Sequence, residues 1–188
     1  MGIELSESDR KTLLSLARQS IAYGLKEGRV MPVDEMDYGP ALQQSRASFV
    51  TLTLGGNLRG CIGSLEAYRP LVVDVVHNAH AAAFSDPRFP PLGPAELGAL
   101  EIHISVLNPA EQMSFTSEAD LIRQLRPGVD GLILAEGPMR GTFLPSVWEQ
   151  LPSPAQFLQH LKLKAGLPAD YWSDTLQGWR YTTTSFSE

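Results

Sequence analysis

The residues best suited to chemistry lie in one short run, Leu58-Arg59-Gly60-Cys61-Ile62-Gly63, which holds the chain's single cysteine. Read as a strand, the run alternates with period two, so Leu58 and Ile62 fall on a buried face while Arg59 and Cys61 share the other. A fixed guanidinium charge beside a thiol favours thiolate, which would let Cys61 act as nucleophile, redox centre or metal ligand. Gly60 and Gly63 leave room for a ligand or another stretch of backbone to come close. The same residues also read as packing: free cysteine is among the most buried residue types, and glycines mark bulges. Spacing alone does not choose between the two.

A second group, Asp86, Arg88 and Phe89, sits in a segment braced by Pro87, Pro90 and Pro91. A stiff loop that carries charges beside an aromatic ring is a reasonable binding element, and equally a turn ordered by an Asp cap and a local Asp–Arg pair. The histidines offer less. Asp74, His77 and His80 lie about one turn apart, but both histidines fall opposite the apolar arc of their helix, so a solvated face is a simpler reading than a metal site. His103 has no partner visible in sequence, and His160 reads as a surface histidine on a helix. No His-Glu-x-x-His pair, Gly-x-Gly-x-x-Gly fingerprint or phosphate loop is present, which excludes zinc proteases, Rossmann enzymes and P-loop NTPases. No metal and no cofactor are expected.

These residues need elements to hold them. Ser6 and Asp9 form a capping box ahead of Leu13, Ala17, Ile21 and Leu25, which predicts a helix over 7–27. Residues 29–46 read as a long connection. A strand from Phe49 then turns at Gly55-Gly56-Asn57 into the return strand Leu58–Gly63. Pro70 opens a second helix at a first-turn position, with Leu71, Val72, Val75, Val76, Ala79, Ala82 and Ala83 on one arc. The proline-dense stretch 85–94 is a loop, and Glu101–Leu107 alternates as a strand. Ser117 and Asp120 cap a short helix ending at Leu125. Strands follow around Leu132-Ile133-Leu134 and Gly141–Leu144, and a helix runs from Ser153-Pro154 to Gly166. Trp179–Phe186 reads as one edge strand. Hairpins interleaved with helices favour an α+β fold with antiparallel sheets over a doubly wound parallel one.

A length of 188 residues suits one domain, or one domain in two lobes. With 43% apolar and 19% charged residues the chain can build a core and is not disordered. The net charge of −6 has the wrong sign for sequence-independent grip on a phosphate backbone. Any RNA substrate would need a local cluster such as Arg59, Arg69 and Arg88. A single cysteine rules out an intramolecular disulfide and fits a reducing cytoplasm. No apolar run approaches the ~20 residues of a membrane span, and no export signal is visible, so a cytoplasmic protein with no membrane partner is expected. Gly2 and Ser6 match a myristoylation pattern too short and common to carry weight.

With these residues in hand, the chain resembles the AMMECR-one domain family, whose bacterial and archaeal members are also called AmmeMemoRadiSam system protein A. The resemblance spans nearly the whole chain: Phe49-Val50-Thr51-Leu52, Leu58–Gly63, Asp86–Leu92, Glu96-Leu97, Ile104–Leu107, Pro127–Gly131, Thr142–Pro145 and Lys164–Gly166. The hexad followed by Asp-x-Arg-Phe is highly specific in combination. The resemblance implies a single domain over 1–188, two-lobed and α+β, with antiparallel sheets flanked by helices, a larger and a smaller subdomain, and a cleft near the hexad. It also implies partnership with Memo-like and radical S-adenosylmethionine proteins, and a role in modifying a nucleotide, an RNA base or a small metabolite.

Three readings follow. In the first, the chain is an enzyme or enzyme-system component in which Cys61 is nucleophile or covalent anchor, Arg59 and Arg88 hold an anionic group, Asp86 orients Arg88 or acts as base, and Gly60, Gly63 and Phe89 complete the binding surface. In the second it is a non-catalytic binding module that presents a substrate or peptide to partner enzymes. In the third the hexad only packs.

Overall fold

The computed structural model describes residues 4–188; the myristoylation pattern falls partly on Gly2, outside them. The capping box forms as expected: Ser6 Oγ accepts the Asp9 N–H, and helix α1 (Glu7–Glu27) stops where Gly28 takes a left-handed φ of 69°. The long connection contains a short helix, α2 (Pro40–Gln43). Strands β1 (Ser48–Leu54) and β2 (Asn57–Gly63) form a hairpin whose turn, Gly55-Gly56, has φ of 56° and 80° and so requires glycine-like freedom. Helix α3 (Leu71–Phe84) follows, with Pro70 as its N-cap, one position before the expected place.

Strand β3 (Leu100–Leu107) pairs antiparallel with β1, so that Val50 and Leu52 on one strand and Ile102 and Ile104 on the other lie in register on one face. That face is dry. Helices α1 and α3 cover it with Leu13, Ala17, Ile21, Val72, Val75, Val76 and Ala79. The opposite face of the same sheet carries Thr51, Cys61 and His103, all partly exposed. Burial of the apolar arc of α3 sets the orientation of the hairpin and therefore which face Cys61 takes.

The chain divides into two compact units. One runs as far as Asn108 and takes back Thr184–Glu188; the other is Pro109–Thr183. The second unit holds β4 (Glu111–Gln112), α4 (Glu118–Gln124), β5 (Gly131–Glu136), β6 (Met139–Phe143), α5 (Pro154–Lys164) and β7 (Gln177–Tyr181). Its sheet runs β4-β7-β5-β6, antiparallel throughout, over a core in which Trp148 stacks on Phe157 at 3.8 Å. The α+β class with antiparallel sheets is therefore correct.

The terminal stretch departs from expectation. Trp179–Phe186 is not one edge strand: β7 is an interior strand of the second sheet, and β8 (Thr183–Ser187) is the edge of the first, in order β2-β1-β3-β8. β-prone residues report strand formation but not where a chain changes sheets. Among the described residues no helix is long and apolar enough to cross a membrane.

Candidate functional site

The hexad forms the expected strand, but not with the expected alternation. Across the hairpin, Leu52 faces Gly60 and Thr53 faces Leu58, so Arg59 is the extra residue of a β-bulge. Beyond the bulge the faces exchange. Leu58, expected buried, is 42% exposed, and the guanidinium of Arg59 turns to Glu96, with Nε 2.9 Å from Oε1. Arg59 Nη2 also donates to the carbonyl of Pro90 at 2.8 Å, while Nη1 is buried with no hydrogen-bond partner among the described residues. Arg59 holds Glu96 below the usual carboxylate range, and the Gly93 N–H adds to this.

Cys61 lies on the half-exposed face, opposite Thr51 on β1, whose Oγ1 is 3.2 Å from Sγ. β2 is an edge strand, so its outer N–H and C=O groups need partners. The 86–88 loop supplies them. Asp86 Oδ2 accepts the Cys61 N–H at 3.0 Å, and Arg88 Nη2 lies 3.5 Å from the Cys61 carbonyl oxygen. Asp86 in turn holds Arg88 by Nε to Oδ1 at 3.0 Å and Nη2 to Oδ2 at 2.7 Å, and accepts the Arg88 N–H at 3.1 Å. Hydrogen bonding to the Arg88 guanidinium outweighs burial and, with the Cys61 and Arg88 N–H groups, holds the Asp86 carboxyl far below the usual range. Arg88 is kept charged first by its bond to Asp86; burial opposes this, and the charge of Asp86 adds to it.

Phe89 completes the cluster, its ring centroid 5.5 Å from the Arg88 guanidinium carbon and 5.9 Å from that of Arg59. The structure thus gathers Cys61, Asp86, Arg88, Phe89 and Arg59 around one strand edge, with Arg88 in the place beside Cys61 that period two assigns to Arg59.

The two glycines have backbone and ring neighbours. A Cβ on Gly60 would stand 2.1 Å from the carbonyl oxygen of Ala82, so this glycine lets β2 touch α3. A Cβ on Gly63 would stand 2.2 Å from Cγ of Phe49, whose ring lies over it across the hairpin. Both positions take the close-approach reading with protein, not ligand, as the neighbour.

Three residues beyond the expected set matter. Thr51 and Glu96 are the partners just described. Asp74 is 1% exposed and accepts from Ser48 N–H (2.8 Å), Ser48 Oγ (2.5 Å), Ser64 Oγ (3.0 Å), Arg69 Nε (2.7 Å) and Asn78 Nδ2 (2.9 Å). It ties α3 to the start of β1 and the end of β2, and so fixes the strand that carries Cys61. His77 and His80 do not form a solvated face: both are half-buried, and His80 packs on Phe84 at 4.8 Å with its Nδ1 buried. The helical wheel missed this because α1 crosses α3 at Gly24, where a side chain would meet Phe84 and His80. His160 is exposed, as expected.

With the geometry in place, comparison with known proteins decides the family. The AMMECR1 family model matches residues 14–186. The chain belongs to the AMMECR1 family. Relatives of this AMMECR1 chain include a protein of Methanothermobacter thermautotrophicus, 40% identical over 90% of this chain and 88% of the relative. A protein of Thermotoga maritima is 35% identical over 86% of this chain and 89% of its own length. Among solved structures, an uncharacterised protein from Pyrococcus horikoshii superposes with a TM-score of 0.86 at 34% identity, covering 94% of this chain and 90% of that one. The fold of that crystal structure is the fold described above.

Proposed function

We propose that the chain is a component of a modification enzyme system in which Cys61 is the reacting or anchoring group and Arg88 supplies the charge that receives an anionic substrate. One observation carries this reading: a half-buried thiol beside the Thr51 hydroxyl, on a residue whose backbone N–H meets Asp86 and whose carbonyl the Arg88 guanidinium reaches. Arg59 is engaged with Glu96, so anion contact falls to Arg88, which is 55% exposed and makes its bonds to Asp86 through Nε and Nη2. Asp86 takes the orienting role. A carboxylate bonded on both oxygens and held far below its usual range is a poor proton acceptor at neutral pH.

Small anionic metabolites or nucleotides fit this site better than RNA, because each arginine at the strand edge is paired with a carboxylate and the net charge is −6. The reading keeps the chain in the cytoplasm, where a lone thiol stays reduced, and in company with Memo-like and radical S-adenosylmethionine proteins. A second reading, a non-catalytic adaptor that presents a substrate to those partners, draws support from the neighbour of the sulfur, a neutral hydroxyl and not a base.

The test compares the alkylation of Cys61 by iodoacetate and by iodoacetamide. If Arg88 receives anions beside the thiol, the folded protein prefers iodoacetate, relative to a small cysteine peptide, and Arg88→Ala removes that preference while iodoacetamide still reacts. Equal preference in both proteins contradicts the assignment.

A further inference from the structure

The second unit contains a cavity of about 260 Å³ that the Cys61 site does not use. Its lining is mixed: the apolar part is Met113 and Leu176, both nearly covered, with the rings of Phe115 and Trp172, which stand 5.5 Å apart with planes tilted by 58°. An offset, tilted pair of this kind leaves ring faces and edges for a third aromatic group. The polar part has a different chemistry. Gln112 and Gln177 offer amides, Ser114 and Thr116 offer hydroxyls, and Asp174 is the one charged residue of the lining among the described residues.

Charge narrows the ligand class. Among the described residues no Lys, Arg or His lines the cavity, so an anion would meet the Asp174 carboxylate with no counter-charge. Lys162 lies 5.8 Å from the Trp172 ring centroid, but it is fully buried and bonded to Glu118 at 2.6 Å. A second carboxylate, Glu136, is held by Ser173 Oγ at 2.8 Å, on the residue next to Asp174. The volume lies just below the ~300 Å³ at which drug-sized sites begin, which limits the occupant to about one ring with a short arm.

We propose that this cavity binds a small aromatic ammonium ligand, its ring against Phe115 and Trp172 and its cation against Asp174. The inference stands independently of the Cys61 reading, because every lining residue belongs to the second unit.

The experiment titrates the full chain with 2-phenylethylamine, 2-phenylethanol and phenylacetate and follows backbone amide chemical shifts. The amine should shift amides in segments 112–116 and 172–177 and bind about two- to fivefold more tightly than the alcohol, the worth of an exposed ion pair. Phenylacetate should bind most weakly of the three. Asp174→Asn should bring the amine down to the alcohol; Asp174 is exposed, and the same spectrum reports whether the variant is folded. Binding of phenylacetate as tight as that of the amine, or shifts confined to other segments, overturns the proposal on the wild-type protein alone.

Discussion

The carboxylate of Asp86 accepts the backbone N–H of Cys61 at 3.0 Å, across 25 residues of sequence. Through this bond the proline-braced loop occupies the open edge of β2, and the residue next to it but one, Arg88, is brought over the thiol strand. The loop thus protects an edge strand and positions a charge at once.

Removing that acceptor should loosen both. Asp86→Ala leaves the Cys61 N–H without its partner and frees Arg88, at a cost of about 1–3 kcal/mol in urea unfolding. Cys61 should become more reactive toward neutral alkylating agents, and selectivity for an anionic agent should fall. An unchanged unfolding midpoint would show that the bond is not maintained in solution.

Gly60 separates the packing account of the hexad from a ligand-binding one. Gly60→Ala drives a methyl group into the Ala82 carbonyl, so α3 and β2 must part, costing about 1–3 kcal/mol or more. Gly98→Ala meets open space and should stay within about 0.5 kcal/mol of wild type. Thermal melts of the two variants give the comparison; equal melting temperatures would contradict the packing account.

Asp74 should be the most costly polar residue of the first unit. Asp74→Ala strands Arg69, Asn78 and Ser48 around an empty acceptor site and should lose about 3–5 kcal/mol. Asp74→Asn, which keeps an acceptor, should lose less. Denaturant melts that rank the two the other way would contradict the network.

Acid stability follows from the histidines first. Burial lowers His80 from 6.5, with His77 adding to it, and burial lowers His77, with Arg69 adding and Asp74 opposing. The unfolded chain therefore takes up protons on these groups at higher pH than the folded one. Their contribution is complete above 6.5 and is lost as pH falls through the lowered folded values. Asp86, Glu96 and Glu188 are also lowered, so they contribute above their ordinary values of 3.8 and 4.5 and are lost only in stronger acid. Urea midpoints should fall as pH drops from 7 to 5, and His77→Asn/His80→Asn should flatten that slope. A slope unchanged in the double variant would place its origin elsewhere.

Much of the first unit was legible because its signals are local. The Ser6–Asp9 box, the Gly55-Gly56 turn and the apolar arc of α3 each act within a few residues, and each formed as expected. That Cys61, Asp86, Arg88, Phe89 and Arg59 come together agrees with the sequence reading, but how they pair does not. Counting back from the Gly55-Gly56 turn places Thr51 opposite Gly60; the bulge at Arg59 advances the register by one and sets Thr51 against Cys61. A bulge depends on where Arg59 finds its carboxylate, 37 residues away, which no period in the sequence reports. The burial of His80 and Asp74 was hidden for a related reason: a wheel describes one helix, whereas α1 meets His80 at Gly24 and Ser48 and Ser64 of the hairpin enclose Asp74. The change of sheet at Thr182 has no local signature at all.

The central claim is that Cys61 is an accessible thiol at a built site and not a core residue. The direct measurement is the alkylation rate of Cys61 by iodoacetamide in the folded protein against the urea-unfolded chain at one pH, unambiguous because the chain has one cysteine. The account predicts modification of the folded protein without unfolding, at a rate comparable to or above that of the unfolded chain. Modification only as fast as the protein unfolds would contradict it and leave the hexad a packing motif.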